Sequence, residues 1–105
     1  MTKELNITYK NPYHEWVQLE SIMNKKLYLK FINWTSGEFD LFLQEELNGL
    51  KVYFPSGNFS ISSISENRRD VLVEIKIISK DLNYMNTLGN RITDICRQIE
   101  NSFSK

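Results

Sequence analysis

Leu43-Gln44-Glu45-Glu46-Leu47-Asn48-Gly49-Leu50-Lys51-Val52-Tyr53-Phe54 is the stretch that decides the fold class of this chain. Asn-Gly accepts positive φ at both central positions of a type I′ turn, whose twist matches the flanking strands. A two-residue turn there pairs Leu47 with Leu50, Glu46 with Lys51, Glu45 with Val52, Gln44 with Tyr53 and Leu43 with Phe54. One face then collects Leu43, Leu47, Leu50, Val52 and Phe54. The other carries Gln44, Glu46, Lys51 and Tyr53, with opposite charges across the strands. A slip of one residue would send each set to the wrong face.

Working outward, Pro55-Ser56-Gly57-Asn58 reads as a four-residue loop that pairs Phe54 with Phe59 and Val52 with Ile61. Thr35-Ser36-Gly37 reads as a three-residue loop that pairs Asn33 with Phe39, Phe31 with Leu41 and Leu29 with Leu43. A polar connection, Ser65 to Asp70, leads into Val71-Leu72-Val73-Glu74-Ile75-Lys76-Ile77-Ile78, where Val71, Val73, Ile75 and Ile77 share a β-branched face. The reading is a five-stranded antiparallel meander over 27–34, 38–47, 50–55, 58–64 and 71–78.

A sheet with one apolar face needs a cover. Met85, Leu88, Ile92, Ile95 and Ile99 recur at alternating spacings of about three and four, which draws one stripe along a helix. Phe103 extends it, and Ser79 or Asp81 caps its start. Gly89 costs about 1 kcal/mol relative to Ala inside a helix. The stripe nevertheless crosses it without a phase jump, so one helix is expected, with Gly89 letting it sit close to the sheet.

At the N-terminus, Asn11 as cap, Pro12 in the first turn and a Trp16, Leu19, Met23 stripe predict a second helix that ends near Lys25-Lys26. A strand through Trp16–Glu20 is the rival reading. Leu5 to Tyr9 alternates and reads as a short edge strand or a loose arm. The expectation is one α+β domain over 1–105: a five-stranded antiparallel β-meander with an N-terminal helix and a long C-terminal helix packed on the sheet.

The chain has 105 residues, 41% of them hydrophobic, which suffices for a core without staples. Thirteen basic and thirteen acidic residues give zero net charge, so no global field draws it to nucleic acid or to a membrane surface. No apolar run approaches the ~18 residues of a membrane helix. A basic-then-apolar secretory pattern is missing. One cysteine cannot close an internal disulfide, so a reducing cytoplasm is the expected compartment.

His14 has no cysteine or serine signature near it, Cys96 reads as a small buried residue one place off the helix stripe, and one of each is too few for a zinc site. The acidic residues lack calcium-loop spacing. Gly37, Gly49 and Gly57 serve turns and Gly89 stands alone, so no phosphate loop is formed. Arg68-Arg69 reads as a solvated turn, and Glu38, Asp40 and Glu46 as a wet sheet face. No catalytic residue, metal or cofactor is expected, and the chain is read as not an enzyme.

The outer sheet face is where a partner is expected. In the meander register Tyr28, Ile32, Trp34, Phe42 and Tyr53 form a loose patch rimmed by charge, a mix that resembles interface composition. The rival for this patch is burial under the N-terminal helix. The expected function is a non-enzymatic protein-binding module, of the inhibitor, immunity-protein or secretion-chaperone type. Its partner would be another protein, or a second copy in a homodimer, with no nucleic acid and no membrane. The alternative is a small-molecule carrier with a pocket between sheet and C-terminal helix.

Overall fold

Val71, Val73, Ile75 and Ile77 are all but inaccessible to solvent, and the strand that carries them has a strand on each side. The computed structural model describes residues 3–46, 48–67 and 70–103. Its elements run β1 (Lys3–Lys10), β2 (Tyr13–Ile22), α1 (Lys25–Glu38), β3 (Leu43–Glu45), β4 (Leu50–Phe54), β5 (Gly57–Glu66), β6 (Val71–Ser79) and α2 (Leu82–Phe103). Among the described residues the strands form one six-stranded sheet in the order β1-β2-β6-β5-β4-β3, every pair antiparallel. Both helices pack on one face, α2 over β2 and β6, with α1 beside it. The α+β class and the long C-terminal helix on the sheet are as expected.

The β4, β5 and β6 faces also hold. Leu50, Val52, Phe54, Phe59 and Ile61 are buried, and Lys51, Tyr53, Ser60, Glu74 and Lys76 lie on the open side. The turn between β4 and β5 has two residues rather than four, because Phe54 pairs with Gly57. That slip by two residues keeps every side chain on its face.

Helix α2 is unbroken across Gly89. Asp81 starts it: its Oδ1 accepts from the Tyr84 N–H at 3.0 Å, and the Ser79 hydroxyl accepts from the Asp81 N–H at 3.0 Å. Met85, Leu88, Ile92, Ile95 and Ile99 are buried as the stripe requires, each such side chain contributing about 1.5–3 kcal/mol.

Three expectations are corrected. Residues 27–34 are not a strand but lie within α1. Leu27, Tyr28, Phe31, Ile32 and Thr35 are all buried, which a helix achieves and an alternating strand does not. Asn24 begins the helix, its Oδ1 accepting from the Leu27 N–H at 2.9 Å.

The predicted N-terminal helix is instead the β1–β2 hairpin, with Pro12 in its turn after a cis peptide bond. There β2 gains a partner on both sides and buries Trp16, Gln18, Glu20 and Ile22 in alternation. The sheet therefore has six strands, not five, and its first helix follows the second strand.

Finally, β3 is short and sits one residue out of the expected register, with Leu43 opposite Tyr53 and Gln44 opposite Val52. The cause is Gln44. Its Nε2 donates to the carbonyls of Phe39 at 2.7 Å and Ser36 at 3.0 Å, and its Oε1 accepts from the Ser36 hydroxyl at 2.6 Å. These bonds hold Gln44 on the helix side and turn Leu43 outward. Asn48 and Gly49 do take positive φ, at 58° and 127°. Leu47 and Arg68-Arg69 lie outside the described residues.

Candidate functional site

The five residues of the expected patch do not meet on one face. Tyr28 and Ile32 belong to the core because they lie on the inner side of α1. Burial raises the Tyr28 phenol above its ordinary range, while hydrogen bonding to Ser63 offsets part of that. Trp34 is on the outer side of α1, 41% exposed. Phe42 sits in the connection to β3, half-buried against the core. Tyr53 is on the open sheet face, where its hydroxyl bonds to Glu45 and the Lys51 ammonium lies 5.3 Å from its ring centroid. That bond to a carboxylate, chiefly, raises the Tyr53 phenol above its usual range.

Trp34 is instead placed on the seam between α1 and α2, and Phe42 between the β4–β5 turn and the start of α2. Trp34 lines a groove of about 220 Å³ with Glu38, Arg91, Asp94, Ile95 and Gln98. Phe42 lines a second, of about 400 Å³, with Phe54, Pro55, Ser56, Asp81 and Tyr84. Arg91 of the first groove reaches Phe39, which packs against Phe42 of the second. The Arg91 guanidinium bonds to Glu38 and its Cζ stands 5.8 Å from the Phe39 ring centroid. Phe39 meets Phe59 edge-on at 5.1 Å and Phe42 at 6.4 Å, and Phe54 meets Tyr84 edge-on at 5.1 Å. Helical spacing explains the wall: Tyr84, Arg91, Ile95 and Gln98 share one flank of α2.

Beside the second groove, Leu41 and Leu43 are 95% and 74% exposed. The segment 38–46 that carries them has four acidic residues and no basic one. The corner is thus apolar at its centre and acidic around it. The signal for it lay in the sequence as Asp40-Leu41-Phe42-Leu43, which a strand reading turned half inward.

A different group of polar side chains is buried between β2 and the opposite flank of α2. Gln18 Nε2 donates to Glu20, and the Thr93 hydroxyl contacts Gln18 Oε1 at 3.3 Å and the Gly89 carbonyl at 2.8 Å. Glu20 is 1% exposed, and its Oε1 has no hydrogen-bond partner among the described residues. Burial, with Glu100 and Glu20 nearby, pushes the Cys96 thiol up to about 12. Burial and the Glu20 charge likewise raise the Glu100 carboxyl. A thiol held protonated is a poor nucleophile. Among the described residues no group of three or more His, Cys, Asp or Glu is arranged to hold a metal ion. The sequence reading missed Gln18 and Glu20. Their signal was two polar residues at inward positions between Trp16 and Ile22, visible once that stretch is read as a strand.

No known protein family matches this chain, and no curated protein does. Among solved structures it is similar to the conserved protein of unknown function EF2215 from Enterococcus faecalis, with a TM-score of 0.63 at 10% identity, over 91% of this chain and 76% of that one. That likeness supports the fold alone. CalU16 from Micromonospora echinospora aligns over 98% of this chain and 95% of its own, but at a TM-score of 0.36 and 7% identity, too low to carry an argument. Among the described residues no helix is long and apolar enough to cross a membrane.

Proposed function

We propose that this protein is a non-enzymatic protein-binding module, of the kind found in inhibitors, immunity proteins and secretion chaperones, acting in a reducing cytoplasm. Its partner is a protein segment that offers a bulky apolar side chain flanked by Lys or Arg. The reading rests on one observation: Leu41 and Leu43, 95% and 74% exposed, bracket Phe42 beside an apolar groove. Side chains so exposed add little to folding, and apolar patches rimmed by polar residues are characteristic of interaction sites. Asp40, Glu45 and Glu46 around the corner supply the charge complement to a basic partner, Glu38 being already paired with Arg91.

Panning a phage-displayed random peptide library tests this. Enriched peptides should combine an aromatic or aliphatic residue with Lys or Arg. The double variant Leu41→Ser with Leu43→Ser should weaken their binding by about tenfold or more, with melting unchanged. No enrichment, or equal binding to the variant, would sink the proposal.

The second reading, a small-molecule carrier, is favoured by the polar group of Gln18, Glu20 and Thr93 buried between sheet and helix. Ile75, Ile77, Met85, Leu88, Ile92 and Ile99 fill the space around α2, so a ligand would have to displace side chains. A thermal-shift screen separates the two, since a ligand at 100 times its Kd adds about 2.7 kcal/mol of stability.

A further inference from the structure

The two edges of the sheet are unlike. β3 is three residues long, whereas β1 has eight and pairs with β2 on one side only. Between its ends β1 reads Leu5-Asn6-Ile7-Thr8-Tyr9, without a charge or a proline. Edge strands exposed to solvent are normally kept from pairing by charge, proline, bulges or shortness, and the middle of β1 uses none of these. Its register with β2 sets Leu5, Ile7 and Tyr9 on the same face as Trp16 and Gln18. Because α2 lies over β2 and β6, these three side chains are 42%, 48% and 57% exposed.

We infer that β1 pairs antiparallel with β1 of a second copy of this chain, about a two-fold axis through Ile7. The strand is complementary to itself in that register. Ile7 meets Ile7, Leu5 meets Tyr9 and Asn6 meets Thr8. Position 4, a Glu, stands opposite position 10, a Lys. A shift of one residue either way opposes apolar to polar positions. A shift of two keeps the faces but loses the Glu–Lys pairing. The interface is isologous, as closed dimers require. It joins two six-stranded sheets into one and sets six apolar side chains in a strip between the two α2 helices. The β3 corner lies at the far edge of the sheet and stays free, so the dimer presents two docking corners.

Sedimentation equilibrium over a range of concentrations tests the pairing. The expected result is a species of twice the 12.4 kDa chain mass. Ile7→Lys, which sets two ammonium groups on the axis, should give a monomer. Glu4→Lys alone and Lys10→Glu alone should each weaken the dimer by about tenfold, since each disrupts two symmetry-related pairs, and the double reversal should restore it. Circular dichroism checks that each variant folds; if Ile7→Lys does not, the charge-reversal set decides. A monomeric wild-type chain overturns the inference. So does a dimer that survives Ile7→Lys, or a double reversal no tighter than the single ones. None of these outcomes bears on peptide binding at the β3 corner.

Discussion

The indole of Trp16 occupies the space that a side chain at position 89 would need: a Cβ built on Gly89 would come within 2.5 Å of Trp16 Cζ2 and 2.6 Å of Cε2 and Cη2. Glycine is therefore what lets α2 settle on β2. Ala at this position would gain about 1 kcal/mol in helix propensity, yet overpacking a well-filled core costs about 1–3 kcal/mol. Gly89→Ala should lower stability in urea unfolding. Trp16→Phe in the same chain should shrink the loss, because the smaller ring clears the notch. A stabilised single variant would refute this account.

Gln44 links the β3 edge to the end of α1 through three hydrogen bonds. At about 0.5–1.5 kcal/mol each, Gln44→Ala should cost roughly 2–3 kcal/mol. Hydrogen exchange should speed up in β3 and at the end of α1, with β5 and β6 still protected. Uniform exchange across the sheet would show that the tie is not local.

Glu20 places a carboxylate in the core with one oxygen unpartnered among the described residues. A buried charge of this kind is costly, so Glu20→Gln should raise the melting temperature at neutral pH. Glu100 reports the same interaction. Its carboxyl is raised by burial and then by the Glu20 charge, so the folded state favours the protonated acid. The stability tied to Glu100 is present below its unfolded pKa and is lost as pH rises through the raised value. In Glu20→Gln the Glu100 titration, followed by NMR, should move down. An unmoved titration would exclude coupling between the two.

The Cys96 thiol, pushed up to about 12 from an ordinary 9.0, gives an alkaline counterpart. Folding holds its proton, so its contribution is complete below pH 9 and is lost progressively toward pH 12. At neutral pH, alkylation by iodoacetamide should be slow in the native protein and fast in urea. Cys96→Ala should flatten the alkaline loss of stability. Rapid native-state alkylation would contradict the burial.

Asp81 supplies the cap of α2 through the Tyr84 N–H. Asp81→Ala should cost about 1 kcal/mol, read as a lower urea midpoint with unchanged slope.

Where structure follows from periodicity within a few residues, the chain declares it. The period-two alternation from Leu50 to Phe54, Phe59 to Ile61 and Val71 to Ile77 places three strands and their buried faces. The stripe from Met85 to Ile99 places α2, and Ser79-Lys80-Asp81 announces its start. Tertiary structure decided the rest, because there two local readings compete. Leu27 and Phe31 fit a strand face and a helix stripe equally. Only a packed interior, which takes Tyr28 and Ile32 as well, selects the helix. Trp16 and Leu19 fit a helix until β6 and β1 bond to either side of β2. Leu43 turns outward because Gln44 finds carbonyls at the end of α1, a contact no strand pattern contains. The expected aromatic patch dissolved with the strand that carried it. The groove beside Leu41, Phe42 and Leu43, the buried Glu20 and the bare edge of β1 exist only once distant segments lie side by side.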